Sequence, residues 1–339
     1  MQIHTIMTAQ ADSIVLTHWV HQEVIDCLNG YGPVLVNQSR ESLPQEELKA
    51  RLAQARAVMV FMPDCVDAAF LDACPKLNIV AAALKGFDNI DVAACTKRNI
   101  WLSIVPDLLT LPTAELAIGL MIALGRNVLA GDSRIRHAAF KGWRPQLYGR
   151  GLYGSTVGIL GLGAVGSAIA RMLTPFGCTT LAYDQRPISQ AESDSLRLTA
   201  AGSQEVLRRS DFLVAALPLN EGTYHFLDKE ALAQVKEGAY LINVARGSCI
   251  DEEAVAASLA SGRLAGYSAD VFAFEDWIRP DKPQYIPEKL LSERERTLFT
   301  PHLGSAVDSV RRAIAMEAAA NIIDVFEGRR PRGVVNAVG

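Results

Sequence analysis

The 339-residue sequence has no C-x-x-C pair, no cysteine and histidine at metal-ligand spacing, no run of one charge sign, and no apolar stretch long enough to cross a bilayer. Each absence excludes a class of protein. The six cysteines (Cys27, Cys65, Cys74, Cys95, Cys178 and Cys249) stand singly, which fits small core residues, so neither a disulfide framework nor a metal site is expected. Acidic and basic residues are mixed along the chain to a net charge of -4, which leaves no one-signed basic surface for nucleic acid. The longest apolar stretch, LAIGLMIALG (116–125), lies between Glu115 and Arg126 and suits a buried helix better than a membrane span. The amino terminus lacks a basic segment followed by an apolar one, and Asp12 interrupts it early. A cytoplasmic protein without nucleic-acid or membrane partners is the expectation.

What is present is ample material for a core. Half of the residues are apolar, and the length suggests two domains. SIVLTH (13–18), AVMVFMP (57–63) and NIVAAAL (78–84) read as buried strands alternating with helices, which implies a parallel sheet covered on both faces. A long helical pattern follows from Pro112 to Phe140, and then a glycine- and aromatic-rich arm, FKGWRPQLYGRGLYG (140–154). Six more strand candidates come next: TVGILGLG, TTLAYD, DFLVAALPL, AYLINVA, LAGYSADVF and TLFTPH. Six parallel strands with intervening helices make a doubly wound sheet. A long helix is predicted after His302.

VGILGLGAVGSAIARML carries Gly161, Gly163 and Gly166 in G-x-G-x-x-G order, after a predicted strand and at the start of a predicted helix. That context makes it a dinucleotide-binding turn: one glycine for the bend, one for close approach of a pyrophosphate, one for helix–strand packing. Asp184 ends the next strand, eighteen residues past Gly166, where a carboxylate would bind a ribose 2′-hydroxyl and repel a 2′-phosphate. NAD is therefore expected, and Arg186 beside Asp184 allows for some NADP use.

Three segments place charge where strands end. Arg246 follows AYLINVA, Asp270 and Glu275 fall in SADVFAFEDW, and His302 follows TLFT. Ligands of open α/β sheets bind beyond the carboxyl ends of the strands. A histidine and a carboxylate converging there suit a general base or acid with its orienting partner, and an arginine suits an oxyanion anchor. Lys85 ends another apolar run, in AAALKGFDNID (81–91), as either a solvated strand end or a cation facing an anionic ligand.

GILGLGAVG, INVARGSCIDEEA, ADVF and TPHLGSA resemble the D-isomer-specific 2-hydroxyacid dehydrogenase family over nearly the whole chain. The resemblance implies two Rossmann-like doubly wound parallel-sheet domains. A discontinuous, flavodoxin-like substrate domain would span 1–107 and 304–339. An NAD-binding domain would span 108–303, with a dimerisation arm at about 130–152. It also implies a homodimer and a catalytic set of Arg246, Glu275 and His302. Its cofactor contacts carry over to Thr113, Gly161, Gly163, Ala164, Val165, Gly166, Asp184, Gln185, Leu217, Pro218, Val244, Ala245, Arg246, Asp270, His302 and Gly304. Backbone amides of the loop at Leu84, Lys85 and Gly86 would hold substrate.

ALKGFDNID, FMPD, VPDLLTLPTAE, GWRPQLYG, VFAFEDW and GSAVDSVRRAI further resemble a narrower branch, the phosphonate dehydrogenases, which oxidise phosphite with NAD. That resemblance adds Met62, Lys85, Trp143, Tyr148 and Arg311 as substrate contacts. Asp308 departs from it, because a basic residue is expected there. Phosphite is a small dianion, and three cations (Lys85, Arg246 and Arg311) would suit it. Oxidation of phosphite, or turnover of another small oxyanion, is the expected reaction. Reduction of glyoxylate, hydroxypyruvate or a related 2-keto acid by the same Arg/Glu/His set is the alternative. An NAD-sensing corepressor-like binding protein is a remoter one.

Overall fold

The computed structural model describes residues 11–277 and 279–338. The first ten residues, on which the targeting expectation bears, lie outside that range. The described residues form two compact units, one of residues 11–109 with 306–338 and one within residues 110–305.

The first unit begins with β1 (Ser13–Leu16), α1 (Gln22–Leu28), β2 (Val34–Val36), α2 (Gln45–Leu52), β3 (Ala55–Val60), α3 (Ala68–Asp72), β4 (Ile79–Ala82), α4 (Val92–Lys97) and β5 (Trp101–Ser103). All five strands pair in parallel, in the order β2-β1-β3-β4-β5. The uninterrupted apolar runs are explained by burial on both faces: every residue of β1 and β4 is buried. The strand order reverses between β1 and β3, a doubly wound topology whose ligands bind outside the strand ends at that point. Phe61, Met62 and Asp64 follow β3, and Lys85 follows β4, so all lie at this carboxyl edge.

The second unit runs through α5 (Thr110–Gly125), α6 (Val128–Arg136), β6 (Thr156–Leu160), α7 (Ala164–Leu173), β7 (Thr179–Tyr183), α8 (Gln190–Leu196), β8 (Thr199–Ala200), α9 (Ser203–Arg209), β9 (Phe212–Ala215), α10 (Lys229–Gln234), β10 (Ala239–Asn243), α11 (Glu252–Ala260), β11 (Leu264–Ala269), α12 (Glu288–Ser292) and β12 (Thr297–Phe299). Its parallel sheet has the order β12-β11-β10-β9-β6-β7-β8, with the switch point between β6 and β9. All six strand candidates are present, and the two-residue β8 adds a seventh at the edge. Two core clusters fill the two sides of this sheet.

The long helical pattern from Pro112 onward is two helices, not one. α5 and α6 are bent by 61° at Asn127, whose left-handed backbone (φ 54°) ends the first helix. No single helix among the described residues is long and apolar enough to cross a membrane. The arm that follows returns to the end of α5. The Arg150 amide donates to the Gly125 carbonyl (2.8 Å), and Asn127 Nδ2 donates to the Leu147 carbonyl (3.2 Å). Finally α13 (Asp308–Phe326) belongs to the first unit and buries Ile314, Ala315, Ala318, Ala319 and Ile322 against its sheet.

Candidate functional site

The glycine turn sits at the switch point of the second unit, between the end of β6 and the start of α7. Gly161 has φ 96°, and a Cβ there would meet the Ala216 carbonyl oxygen at 2.6 Å, so only glycine fits. Gly166 lies against the Gly161 carbonyl in the same way. Gly163, the N-cap of α7, opens onto empty space, and no side chain caps the helix there. The amides at this helix end, with their positive dipole, are thus available to a phosphate, and the residues fit a dinucleotide. The Asp184 carboxylate accepts from the Leu162 amide (2.6 Å) and the Arg186 amide (3.0 Å), which holds it beside the turn. Gln185 donates to the Gly222 carbonyl (3.2 Å), Leu217, Val244 and Ala245 are buried, and the Pro218 carbonyl accepts from Thr223 Oγ1 (2.5 Å).

The catalytic candidates of this unit come from the ends of three neighbouring strands. Arg246 follows β10. Glu275 lies in a short 3-10 turn after β11, where its Oε1 accepts from the Phe272 amide (2.9 Å). Its Oε2 lies 2.9 Å from Nδ1 of His302, which follows β12. His302 itself adopts a left-handed backbone (φ 56°), unusual for a residue that is not glycine. Its loop is tied down by Asp270, whose Oδ1 accepts from Thr300 Oγ1 (2.5 Å) and the Leu303 amide (2.6 Å), while Oδ2 accepts from the Gly304 amide (2.8 Å). Burial pushes the Asp270 carboxyl up, and these donors work against that. The Asp270 carboxylate thus ties down the loop that carries the histidine. Gly304 lies close to Thr113 of α5, where a Cβ would come 3.0 Å from Thr113 Oγ1.

Three residues that join these turns were missed by sequence reasoning. A Cβ at Gly247 would sit 1.8 Å from the Phe272 carbonyl carbon and 1.9 Å from the Ala273 nitrogen, so the Arg246 turn and the Glu275 turn are in backbone contact. The Ser248 amide donates to Asp276 Oδ2 (2.7 Å), and the Ala273 amide donates to Glu252 Oε1 (2.9 Å). Glu252 is buried, its Oε2 lacks a hydrogen-bond partner, and burial pushes its carboxyl to about 7. Acidic residues in DEEA and FEDW look like solvated turns in a sequence. No local signal separates these two from the others.

In the first unit, Leu84 is buried, Met62 packs partly buried beside the core, and Lys85 is half-buried beyond β4. Burial lowers the Lys85 ammonium, while the Asp107 carboxylate nearby raises it. Arg311 on α13 has its guanidinium 5.7 Å from the Phe61 ring centre, and burial lowers it too. Asp308 is exposed, and its carboxylate lies 3.0 Å from Nε2 of His21. Trp143 and Tyr148 are 75% and 77% exposed on the arm.

Residues 118–304 match the family model for the NAD-binding domain of D-isomer specific 2-hydroxyacid dehydrogenases. A glyoxylate reductase from Pyrococcus horikoshii is 34% identical over 95% of this chain and 95% of its own. The crystal structure of the TT0316 protein from Thermus thermophilus superposes with a TM-score of 0.86 at 30% identity, covering 95% of this chain and 99% of that one. A D-lactate dehydrogenase from Aquifex aeolicus, solved with NAD and lactic acid, shares the fold at a TM-score of 0.81 and 23% identity, covering 94% of this chain and 96% of its own.

These relatives overturn phosphite oxidation as the expected reaction, since curated proteins similar along almost the full length are named glyoxylate reductases. Within the first unit Lys85 is not a lone cation, because the Asp107 carboxylate acts on it electrostatically. The cofactor of the second unit is NAD. The chain belongs to the D-isomer specific 2-hydroxyacid dehydrogenase family.

Proposed function

We propose that this protein reduces a short 2-keto acid, glyoxylate or hydroxypyruvate, to the corresponding 2-hydroxy acid. The observation that carries the reading is the His302–Glu275 pair, 2.9 Å apart, in the same unit as the dinucleotide turn. NADH, when bound, supplies a hydride for the carbonyl carbon. Glu275 holds Nδ1 of His302, so Nε2 is the nitrogen that gives its proton to the carbonyl oxygen and leaves a hydroxyl. Glu275 offsets the charge of the histidine before the transfer, and Arg246 offers a planar fork for the carboxylate of the substrate. In the first unit, the 84–86 loop with Lys85, and Met62 and Arg311, are proposed as further substrate contacts. The glyoxylate reductases among the relatives support this choice of substrate.

We also propose that the protein is a homodimer joined through the arm. Val128, Leu129, Ile135, Phe140, Trp143 and Tyr148 leave a run of large apolar groups 49–77% exposed, more than a solitary chain ordinarily shows in one segment. In that reading Trp143 and Tyr148 act through the second copy.

The test is a panel assay of the purified protein, following NADH absorbance with glyoxylate, hydroxypyruvate and pyruvate, and in the reverse direction with NAD and glycolate, D-glycerate or phosphite. Consumption of NADH with glyoxylate or hydroxypyruvate is expected. Turnover confined to phosphite, with none of the keto acids, would overturn the reading.

A further inference from the structure

Arg186 stands two residues from the carboxylate expected to bind the ribose, and its placement bears on the choice between NAD and NADP. Its backbone amide donates to Asp184 Oδ1 (3.0 Å), and its Nη2 donates to the Leu162 carbonyl (3.1 Å) in the glycine turn. The guanidinium therefore lies against the turn, near enough to the Asp184 carboxylate to feel its charge. A 2′-phosphate placed there would fall beside this group. Yet both of its terminal nitrogens are already engaged by one carboxylate. Nη1 donates to Glu192 Oε2 (2.9 Å), and Nη2 donates to Glu192 Oε1 (2.6 Å). This is the fork-to-fork geometry that a phosphate would otherwise use.

Glu192 is well placed to keep this contact. It stands in the first turn of α8, whose N-cap Ser189 accepts from the Glu192 amide (3.2 Å), so the backbone beneath it is fixed. Glu192 is a quarter exposed and Arg186 half exposed. Pairing with Arg186 holds the Glu192 carboxyl below the usual range and raises the guanidinium in turn.

We infer that Glu192 is a specificity-determining residue for the cofactor: by occupying the Arg186 guanidinium in a two-pronged pair, it withholds from a 2′-phosphate the cation beside Asp184, and so turns the site toward NAD. Glu192 acts through Arg186 and is not itself a contact of the cofactor. Two carboxylates and one guanidinium then border the ribose position, a net negative surround that disfavours the dianionic 2′-phosphate. Removing the charge of Glu192 lets Arg186 swing its fork onto that phosphate.

The experiment measures dissociation constants of NADH and NADPH by quenching of protein fluorescence, without any substrate, so its outcome is independent of which keto acid is turned over. Glu192→Gln keeps the length and the helix position of the side chain. NADPH affinity is expected to rise about tenfold, the size of a charge-assisted hydrogen bond gained, with NADH affinity changed less than about twofold. The gain should shrink as salt is raised from low to high concentration. The double variant Arg186→Ala with Glu192→Gln is expected to lose it again. An unchanged NADPH-to-NADH ratio in Glu192→Gln would overturn the inference. So would a gain that survives in the double variant, because that gain would come from a general loss of negative charge and not from Arg186. Circular dichroism of each variant identifies any change due to unfolding of α8, and Glu192→Ala repeats the measurement with the side chain removed.

Discussion

Gly247 offers the sharpest perturbation, because it is the point where the turn carrying Arg246 rests on the turn carrying Glu275. A methyl there would lie 1.8 Å from the Phe272 carbonyl carbon, where ordinary contact begins at 3.4 Å, a shortfall of about 1.6 Å. The obstructing atoms are backbone, so no side-chain rotation relieves the overlap. The two turns must part, although the Ser248–Asp276 and Ala273–Glu252 hydrogen bonds hold them together. A displacement of about 1 Å in a catalytic group costs on the order of 10²-fold in rate. Gly247→Ala should therefore lower kcat/KM for glyoxylate at least about 100-fold. Overpacking of this kind also costs about 1–3 kcal/mol of stability. The glycine turn lies on other strands, so NADH should still bind, weakened only by what Val244, Ala245 and Arg246 contribute, which separates this variant from one that is merely unfolded. Steady-state kinetics with NADH titration by fluorescence reads both quantities. A Gly247→Ala enzyme with more than a third of the normal kcat/KM would refute the claim that the two turns are locked against each other.

His302→Ala should reduce kcat by about 10²–10⁴-fold at saturating NADH, with circular dichroism showing an intact fold; a kcat within about tenfold of normal would remove His302 as the proton donor. Burial raises the Glu252 carboxyl from 4.5 to about 7 in the folded protein. Between those values the native state holds a proton that the unfolded state has lost, so this stabilisation is complete below about 4.5 and disappears as pH rises through about 7. Glu252→Gln keeps an oxygen for the Ala273 amide and does not titrate. Urea unfolding from pH 5 to pH 8 should thus show the wild type losing stability against Glu252→Gln, by about 3 kcal/mol as an upper figure, and parallel curves would count against the burial argument. Phe140→Ser combined with Trp143→Ser should convert a dimer into a monomer in analytical ultracentrifugation, and a dimer of unchanged affinity would exclude the arm as the interface.

The elements most legible in the sequence are those whose reasons are local. The strand runs β1, β3, β4, β6, β7, β9, β10 and β11 are short, mostly apolar and bounded by helical sequence, because most of their residues are buried in a parallel sheet. β2, β5 and β8, two or three residues long, were not among the strand candidates. The helix break at Asn127 was hidden for a different reason. Arg126 and Asn127 are compatible with a helix, and only the return of the arm onto Gly125 requires the chain to turn there. Arg246, Asp270, Glu275 and His302 stand out as polar groups at strand ends, but their division of labour does not. Nothing in SADVFAFEDW tells the carboxylate that ties down the 300–304 loop from the one that faces His302.

What the sequence determined by itself was the alternation of strand and helix, the glycine turn with its distant acid, and the chemical types available at the strand ends. These follow from backbone sterics and hydrophobic periodicity, which act over a few residues. The tertiary structure alone decided which carboxylate meets His302, that Glu252 and Asp276 join two turns from beneath, and that Glu192 holds Arg186. Those contacts depend on angstrom-scale distances between separate segments of the chain, and such distances are set by the packing of the whole sheet, not by any stretch of it.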